Sequence, residues 1–269
     1  MQKAVTTRYE FDTGQHLSEP VRIAHVSDLH ERDSDDILAM VKEQKPDVIM
    51  VTGDTFERYD NRPQYDFYRK PVKRFIVSLL HYANYLCVLL LPKQKKANEE
   101  YVRRFLSQAV DIAPVYMSLG NHEQKLLDGD YTFLAEQGIH LLDNADTPLQ
   151  IKDFRCILGG MSCWDYEEWL ASYLSKDGFK LLLCHQPNLY VSDVAGKGVD
   201  LTLSGHTHGG QMRIGRKGRG FFVPGQGLFG KYAHGSFFDG RLIVSAGCAN
   251  TVAAPRFFNP RELVIIDLK

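Results

Sequence analysis

Five short apolar runs, each followed closely by residues that bind metal ions in proteins, constrain the fold of this chain most. The runs cover residues 21–27, 47–52, 114–119, 179–184 and 201–203. Their length and their large or β-branched side chains are typical of buried strands, although periodicity alone does not exclude a helix. In sheets with helical crossovers, ligands gather at the carboxyl ends of the strands. We therefore expect five strands that each deliver an Asp, Asn or His to one edge.

The fifth run leads into residues 204–211, where one residue separates the two histidines His206 and His208. Side chains alternate along an extended chain, so both imidazoles point to the same side. Taken alone, the pair is equally consistent with metal ligands and with ordinary loop histidines. The polar residues after the other four runs favour ligands, because they complete one set.

The predicted metal ligands are three residues with side-chain oxygens and four histidines: Asp28, His30, Asp54, Asn121, His185, His206 and His208. The set contains no thiolate, which argues against a structural zinc site and suits Mn, Fe or Zn in an open catalytic site. Seven ligands are too many for one tetrahedral ion and agree with two ions that share a carboxylate. We choose Asp54 as that bridge.

Each predicted ligand also has an ordinary structural explanation. Asp28 and Asp54 would be turn residues, and His30 would be a surface loop histidine. Asn121 tolerates a left-handed turn, and His185 would pack as a core histidine at a strand end. His25 lies inside a predicted strand and is interpreted as a packed histidine. The histidines without a supporting pattern are interpreted as structural; they are His16, His81, His140 and His234.

Five motifs resemble, in order, the signature of calcineurin-like metallophosphoesterases: Asp28-x-His30, Gly53-Asp54, Gly120-Asn121-His122-Glu123, His185 and Gly205-His206-Thr207-His208. The motifs span residues 28–208. The Gly209-Gly210-Gln211 that follows resembles a bacterial branch that includes membrane-associated phosphodiesterases. The resemblance implies an α/β fold, a four-layer αββα sandwich of two mixed β-sheets flanked by helices.

The resemblance also implies roles for the site residues. One ion would be bound by Asp28, His30, Asp54 and His208, and the other by Asp54, Asn121, His185 and His206. His122 would lie near the leaving group as a proton donor. Glu123 stands where many relatives carry Asp and would orient His122.

The reaction implied is hydrolysis of a phosphodiester or pyrophosphate by in-line attack of hydroxide generated at two divalent ions. The alternatives are a phosphomonoesterase or nuclease of the same superfamily, or a non-catalytic metal-binding scaffold. Scaffolds in this superfamily usually lose ligands, and this sequence retains them all. A nuclease is expected to have a basic groove, which a net charge of -1 does not favour.

Two further segments are candidates for substrate contact. Arg213 opens a glycine-rich basic segment, residues 213–220, which would either bind an additional phosphate or form a solvated hairpin. Arg256 lies in a loop, residues 256–260, that resembles an arginine-containing loop of the same bacterial branch. A guanidinium there would bind a phosphate through two parallel hydrogen bonds.

Residues 56–98 are a predicted cap insertion within a single metallophosphoesterase domain of residues 1–269. Its apolar stretch, residues 75–91, is shorter than the roughly 20 residues of a transmembrane helix and has lysines and arginines on both sides. Such a stretch would be a buried core helix, a dimer contact or a helix on a membrane surface. In the last case, residues 72–92 would contact the membrane and pass a lipid-linked substrate to the metal ions.

Composition is that of an ordinary globular protein, with 44% hydrophobic and 24% charged residues. The five cysteines form no C-x-x-C pair and are interpreted as reduced thiols. The first residues lack the apolar core of a signal peptide. We therefore expect a cytoplasmic protein, either free or peripheral on the inner face of the membrane, that needs no specific nucleic acid.

Local patterns predict the remaining elements. Residues 34–45, 98–109, 131–137 and 165–174 have helical spacing or helix-ending signals. Residues 6–12 alternate like an edge strand, and residues 241–246 and 262–268 are predicted strands near the end of the chain.

Overall fold

The computed structural model describes residues 3–59, 97–214, 219–250 and 255–269. The helices are α1 (Asp35–Gln44), α2 (Glu99–Ala109), α3 (Asp128–Glu136), α4 (Glu167–Leu174) and the short α5 (Pro187–Leu189). The strands are β1 (Val5–Phe11), β2 (Val21–Val26), β3 (Val48–Thr52), β4 (Val115–Ser118), β5 (His140–Leu142), β6 (Ala145–Ile151), β7 (Phe154–Met161), β8 (Lys180–Cys184), β9 (Leu201–Ser204), β10 (Arg213–Ile214), β11 (Arg219–Gly220), β12 (Phe222–Val223), β13 (Gly227–Leu228), β14 (Gly235–Phe237), β15 (Leu242–Val244) and β16 (Glu262–Leu268).

Two six-stranded mixed sheets form the centre of the fold. The first has the order β1-β16-β2-β3-β4-β5, in which β2 to β5 are parallel and β16 is antiparallel to β2. The second has the order β14-β15-β9-β8-β7-β6, in which the four inner strands are parallel and both edge strands are antiparallel. All five strands predicted before the ligand motifs are present, and the predicted fold class is confirmed.

The layers follow from strands that are apolar on both faces. Along β2, Ile23 faces a core between the two sheets, whereas Ala24 faces a core shared with α1 and α2. Along β8, Leu181 joins the core between the sheets, whereas Leu182 packs on the side of α4. Helices therefore cover the outer face of each sheet, and the fold has four layers.

The predicted helix boundaries lie within two residues of those in the structure, except at the start of α3. Asn98 caps α2 by accepting a hydrogen bond from the Glu100 amide at 2.9 Å. Helix α1 ends at Gln44 and is capped by Lys45, directly before Pro46. Helix α3 begins at Asp128, three residues before the predicted start at position 131. The Asp130 carboxylate accepts from the Leu127 amide at 3.0 Å, and this contact allows a first turn that the apolar spacing does not indicate.

Part of two predicted segments lies outside the described residues. This applies to residues 60–96 of the predicted cap, including its apolar stretch, and to residues 215–218 of the basic segment. Within the described ranges, no helix is long and apolar enough to cross a membrane. The four cysteines in those ranges are buried and free of disulfides.

A partly buried arginine, Arg58, connects the loop after β3 to α2 and α3. The Arg58 guanidinium makes two hydrogen bonds to Asp130, at 2.7 and 2.9 Å, and contacts Glu31 at 2.7 Å and Glu99 at 2.8 Å. The Arg58 backbone amide donates to His122 O at 2.9 Å. The ion pairs therefore hold the loop that contains His122.

Replacing Asp130 with Asn is expected to lower the free energy of unfolding by about 3 kcal/mol, because the Arg58 charge would lose its buried partner. Urea unfolding monitored by circular dichroism measures the change. Arg104→Ala, which removes an exposed ion pair to Asp35, is the control and should leave stability nearly unchanged. Equal losses in the two variants would contradict this account.

Candidate metal centre

The predicted ligands lie together where the two sheets present the carboxyl ends of their parallel strands. In the first sheet, residues after β2, β3 and β4 supply Asp28, His30, Asp54 and Asn121; in the second, residues after β8 and β9 supply His185, His206 and His208. Five of the seven have a left-handed backbone with φ between 47° and 70°; they are Asp28, His30, Asp54, His206 and His208. Such backbone strain in residues other than glycine clusters at functional sites.

Asp28, His30 and His208 form the first ligand group. Asp28 Oδ1 lies 3.8 Å from His30 Nε2 and 3.5 Å from His208 Nε2, and the two Nε2 atoms are 3.2 Å apart. The Asp28 carboxylate is held in place by the His206 amide, which donates to Oδ1 at 3.0 Å. Three potential ligand atoms therefore converge on one point.

Asp54, His185 and His206 form the second ligand group. His185 Nδ1 lies 2.6 Å from Thr52 O, which fixes its N–H on that nitrogen and turns Nε2 toward Asp54 Oδ2, 3.0 Å away. Nε2 is buried and faces the Asp54 carboxylate. A ring backed by a carbonyl, with its other nitrogen directed at a carboxylate, fits the usual arrangement of a metal-binding histidine.

The Asp54 carboxylate lies between these two groups and also forms a third group with His30 and His122. Its Oδ2 is 3.0 Å from His185 Nε2, 3.6 Å from His30 Nε2 and 3.7 Å from His122 Nε2. Its Oδ1 accepts a hydrogen bond from the His122 amide at 2.9 Å. This position suits the bridging role predicted for Asp54.

Asn121 and His122 lie on the loop after β4. Asn121 is buried, and its Oδ1 accepts from Gln186 Nε2 at 3.4 Å, which places it beside His185. The His122 ring lies 4.5 Å from the His30 ring, at nearly a right angle. The structure therefore brings the whole Gly120-Asn121-His122 motif to the candidate ligands.

Electrostatics at the centre favour positive charge beside Asp54. Burial alone would raise the pKa of Asp54, but the imidazoles of His185, His122 and His30 hold it well below its ordinary value. Burial alone would lower the pKa of His185, but the charge of Asp54 raises it to about 9. The same negative potential would attract a metal cation.

Two glycines allow the carboxylates to pack this tightly. A Cβ on Gly120 would collide with Asp54 Oδ1, and a Cβ on Gly205 would collide with Ser27 Oγ and Asp28 Oδ2. Glycine is therefore required directly before Asn121 and directly before His206.

Glu123 contacts the backbone rather than His122. Its buried carboxylate accepts hydrogen bonds from the amides of Asp54 at 2.8 Å, Gly120 at 2.7 Å and Phe56 at 2.8 Å, and it also contacts the Thr55 amide. Glu123 was expected to orient the His122 ring, but its carboxylate binds backbone amides instead. Four convergent amides bind a carboxylate more strongly than one imidazole does, and they turn the side chain toward the loop after β3.

The carboxylate that contacts His122 is Glu57, which the sequence analysis missed. Glu57 Oε2 lies 2.9 Å from His122 Nδ1, and Oε1 lies 2.8 Å from His30 Nδ1. The Tyr59 hydroxyl bonds to the same carboxylate and lies beside His122 Nδ1. The one feature of the sequence that pointed to Glu57 is its position three residues after Asp54, at the start of the predicted cap, residues 56–98.

The Glu57 contact affects the proton affinity of His122. Burial alone would lower the pKa of His122, but the charges of Asp54 and Glu57 raise it. Burial alone would raise the pKa of Glu57, but its bonds to His122 and His30 hold it far below its ordinary value. His122 is therefore favoured in its protonated form beside Asp54.

The two arginines predicted to contact substrate are both turned into the protein. Arg256 is buried and contacts His208 Nδ1 at 3.1 Å and Ala246 O at 2.7 Å. Arg213 is partly buried. Burial lowers the pKa of its guanidinium, and the neighbouring Glu262 and Tyr9 partly offset that effect. The Arg256 guanidinium is used within the loops beside residues 205–210, and Arg213 Nε is buried.

Three histidines outside the ligand set, His25, His140 and His234, contact other side chains of the fold. His25 is fully buried, and its Nε2 lies 2.8 Å from Thr52 Oγ1, in agreement with its interpretation as a packed histidine. His140 stacks on Tyr116, and His234 lies 3.3 Å from Glu262. None of the three belongs to a candidate metal group.

Comparison with known proteins agrees with this geometry. The family model for calcineurin-like phosphoesterases matches residues 21–210. The uncharacterized protein YpbG of Bacillus subtilis is 25% identical over 206 residues, which cover 74% of this chain and 65% of YpbG. The putative metallophosphoesterase F40B5.2 of Caenorhabditis elegans is 30% identical over 57% of this chain and 35% of its own length.

A longer match is to the uncharacterized metallophosphoesterase YkuE of Bacillus subtilis, which is 28% identical over 91% of this chain and 76% of YkuE. In contrast to this match, the matches to YpbG and F40B5.2 cover less than two thirds and about a third of the length of those proteins. The family match itself covers most of the chain and includes every candidate ligand from Asp28 to His208. The chain therefore belongs to the calcineurin-like phosphoesterase family.

Proposed function

We propose that the protein is a phosphohydrolase with two divalent metal ions that hydrolyses a phosphodiester or pyrophosphate bond. The observation that supports it best is the Asp54 carboxylate, which lies within 4 Å of imidazoles from both ligand groups and of His122. Two ions that share a carboxylate are suited to stabilising the attacking oxygen and the leaving oxygen of an in-line phosphoryl displacement.

The donor set indicates which residues would bind the ions. Asp28, His30 and His208 would hold one ion and Asn121, His185 and His206 the other, with Asp54 shared. Mixed nitrogen and oxygen donors suit Mn, Fe or Zn. Such ions would polarise the phosphate oxygens and lower the pKa of a water molecule to supply the attacking hydroxide.

His122 is the proposed proton donor to the leaving oxygen. Its Nε2 points into the centre, 3.7 Å from Asp54 Oδ2, while Glu57 holds Nδ1 on the opposite side of the ring. The two carboxylates raise its pKa, which favours the protonated ring that a proton donor requires. A well-placed general acid accelerates such a reaction by about 10²–10⁴-fold.

A lipid-linked phosphodiester is the substrate class we favour. Its support is the apolar, basic-flanked sequence of residues 72–92, which would contact the inner face of the membrane. Vesicle flotation tests this part: the wild-type chain should float with anionic vesicles, and a Leu89→Glu, Leu90→Glu variant should not. Equal recovery of both proteins in the soluble fraction would overturn the membrane contact.

Hydrolysis of bis-p-nitrophenyl phosphate and p-nitrophenyl phosphate with added Mn²⁺ tests the reaction class. We expect turnover of the diester that a chelator abolishes and Mn²⁺ restores. Faster turnover of the monoester would favour a phosphomonoesterase. No turnover of either by Mn²⁺-loaded protein would favour a metal-binding scaffold.

Replacing Glu57 with Gln is expected to reduce kcat by about tenfold, as losses of groups that orient site histidines do. It should also change the pH profile. The protonated form of His122 is the active acid, so activity falls as pH rises through its pKa. Without the Glu57 charge that pKa is lower, and the fall should begin at lower pH.

The profile of kcat against pH between pH 6 and 10 measures this effect. Tyr59→Phe is the matched control, because it removes a neutral partner of Glu57 and keeps the charge beside His122. A Glu57→Gln profile whose basic limb coincides with that of the wild type would show that Glu57 does not act through His122.

A further inference from the structure

An apolar surface lies beside the candidate centre, on two loops of the second half of the chain. It is formed by Leu228, Phe229, Phe257 and Phe258, which we call the aromatic ridge. Phe258 is 87% exposed, and the other three are between 41% and 53% exposed. Single apolar residues are common on protein surfaces, whereas adjoining ones mark a site of interaction.

Backbone hydrogen bonds place the two loops side by side. The Arg213 amide donates to Phe257 O at 3.0 Å. The preceding residue, Met212, accepts at its carbonyl from the Phe221 amide at 2.7 Å. Phe221 O in turn accepts from the Phe229 amide at 3.1 Å, and the two rings contact each other edge to face. The side chains of the ridge therefore belong to adjoining segments of one surface.

The ridge is anchored to a candidate ligand. Two residues that flank Phe257 and Phe258 turn inward and are buried; they are Arg256 and Asn259. Arg256 Nη2 lies 3.1 Å from His208 Nδ1, and Asn259 Nδ2 donates to His208 O at 2.7 Å. The loop is therefore fixed from below at the centre, and the two phenylalanines between the anchors are left exposed.

Two glycines directly after His208 allow both loops to approach the centre. A Cβ on Gly209 would collide with Asn259 Oδ1, and a Cβ on Gly210 would collide with Cα of Gly220, the residue before Phe221. The close packing of the ridge on the centre therefore depends on the glycines of the metal-ligand segment itself.

Two residues of the ridge have a left-handed backbone, with φ of 56° at Phe229 and 51° at Phe258. Bulky side chains rarely adopt this conformation, and such strain clusters at functional sites. Phe258 gains almost no burial within the chain that would offset the strain. The conformation therefore indicates a contact outside the chain.

The part of the chain that carries the ridge is almost free of acidic residues. Residues 205–261 contain eight of the 32 lysines and arginines but only one of the 33 acidic residues, Asp239. The net charge of the whole chain is -1, so positive charge is concentrated here. Lys231, which is exposed, lies 5.1 Å from the ring of Tyr232 beside the ridge loop. Protruding apolar side chains on a positive surface match an anionic lipid bilayer.

A single-stranded nucleic acid fits this surface less well. Such a ligand requires exposed cations along its phosphates as well as aromatic rings. Two of the arginines, Arg256 and Arg261, are buried. Their charge adds to the positive potential of the surface, but their guanidinium groups are turned away from a ligand on the ridge.

We propose that the aromatic ridge inserts shallowly into an anionic lipid bilayer and holds the metal centre at its surface. This contact is separate from the one proposed for residues 72–92, and it needs no metal ion. Its role in bringing a lipid-linked substrate to the centre rests on the proposed function. A single shallow contact gives weak, reversible binding, so loss of either contact is expected to release the chain.

Flotation of the full chain with vesicles of phosphatidylglycerol and phosphatidylcholine tests the ridge. The wild type should bind, and a Phe257→Ser, Phe258→Ser variant should bind at least about tenfold more weakly, because two large apolar side chains no longer leave water. Leu127→Ser, Tyr131→Ser is the matched control, since it removes two exposed apolar side chains outside the ridge, and it should bind like the wild type. Added salt should weaken binding.

A tryptophan at the tip of the ridge tests which part of the chain enters the bilayer. Brominated lipids in the same vesicles should quench the fluorescence of Phe258→Trp more strongly than that of the wild type. The two native tryptophans, Trp164 and Trp169, are partly buried and lie outside the ridge. This measurement keeps an aromatic side chain at position 258, and thermal unfolding checks that each variant is folded.

Three results would overturn the inference: a wild-type chain that does not bind anionic vesicles, a folded serine variant that binds as the wild type does, or quenching of Phe258→Trp no stronger than that of the wild type. Binding of a single-stranded oligonucleotide that the serine variant loses, without vesicle binding by the wild type, would assign the ridge to nucleic acid instead. Turnover of bis-p-nitrophenyl phosphate by the wild type decides the proposed reaction without vesicles. A failure of the ridge and a failure of the reaction are therefore distinguishable.

Discussion

Replacing Asp54 with Asn is expected to reduce diester hydrolysis by about 10³-fold, the scale on which loss of a key charge-stabilising group acts. Asn keeps the shape of Asp but removes the charge and replaces one of the two carboxylate oxygens with an amide nitrogen. Oδ2 of Asp54 lies within 4 Å of His185, His30 and His122, so one substitution affects both metal positions and the proton donor.

Steady-state kinetics on bis-p-nitrophenyl phosphate with excess Mn²⁺ measures the loss, and metal analysis should show fewer ions bound per chain. Asp111→Asn is the matched control, because Asp111 is an exposed carboxylate outside the ligand motifs, and it should leave both values unchanged. An Asp54→Asn protein with wild-type kcat/KM and full metal content would rule out the bridging role.

Replacing Glu123 with Ala is expected to cost about 4 kcal/mol of the free energy of unfolding, since buried amides without partners cost about 1–3 kcal/mol each. Glu123 accepts from Gly120 and from Asp54, Thr55 and Phe56. For a chain of this size the change corresponds to a fall in Tm of about 10 °C. Activity should fall too, because the Asp54 amide is among the groups released.

Thermal unfolding separates this structural role from the role first expected for Glu123. If Glu123 acted only by orienting His122, Glu123→Ala would keep the wild-type Tm and alter the pH profile instead. Glu136→Ala, at an exposed position of α3, serves as the control and should change stability by less than about 0.5 kcal/mol.

Some strands of the fold could be predicted from the sequence, and others could not. Strands β2, β3, β4, β8 and β9 were predicted because both faces of each are buried, so each one is a continuous apolar run. The hairpin of β6 and β7 was not predicted. Its tight turn is formed by Lys152 in a left-handed conformation followed by Asp153, without the Asn-Gly or Asp-Gly signal of a short hairpin.

The sequence by itself determined the candidate ligands and the edge at which they meet. Spacing along the chain and the parallel arrangement of strands suffice for that, because the carboxyl ends of parallel strands share one edge. The three-dimensional structure decided which groups contact those ligands from behind. Glu57 rather than Glu123 contacts His122, and Arg256 turns inward to His208 instead of outward to substrate.

The physical reason is that such contacts depend on the direction of a side chain and on competing partners, which spacing does not encode. Glu123 turns toward four backbone amides because they satisfy its charge in a buried site. Arg256 turns inward because the carbonyls of Ala246 and Ala249 accept its hydrogen bonds. Both sets of partners exist only after distant loops have packed together.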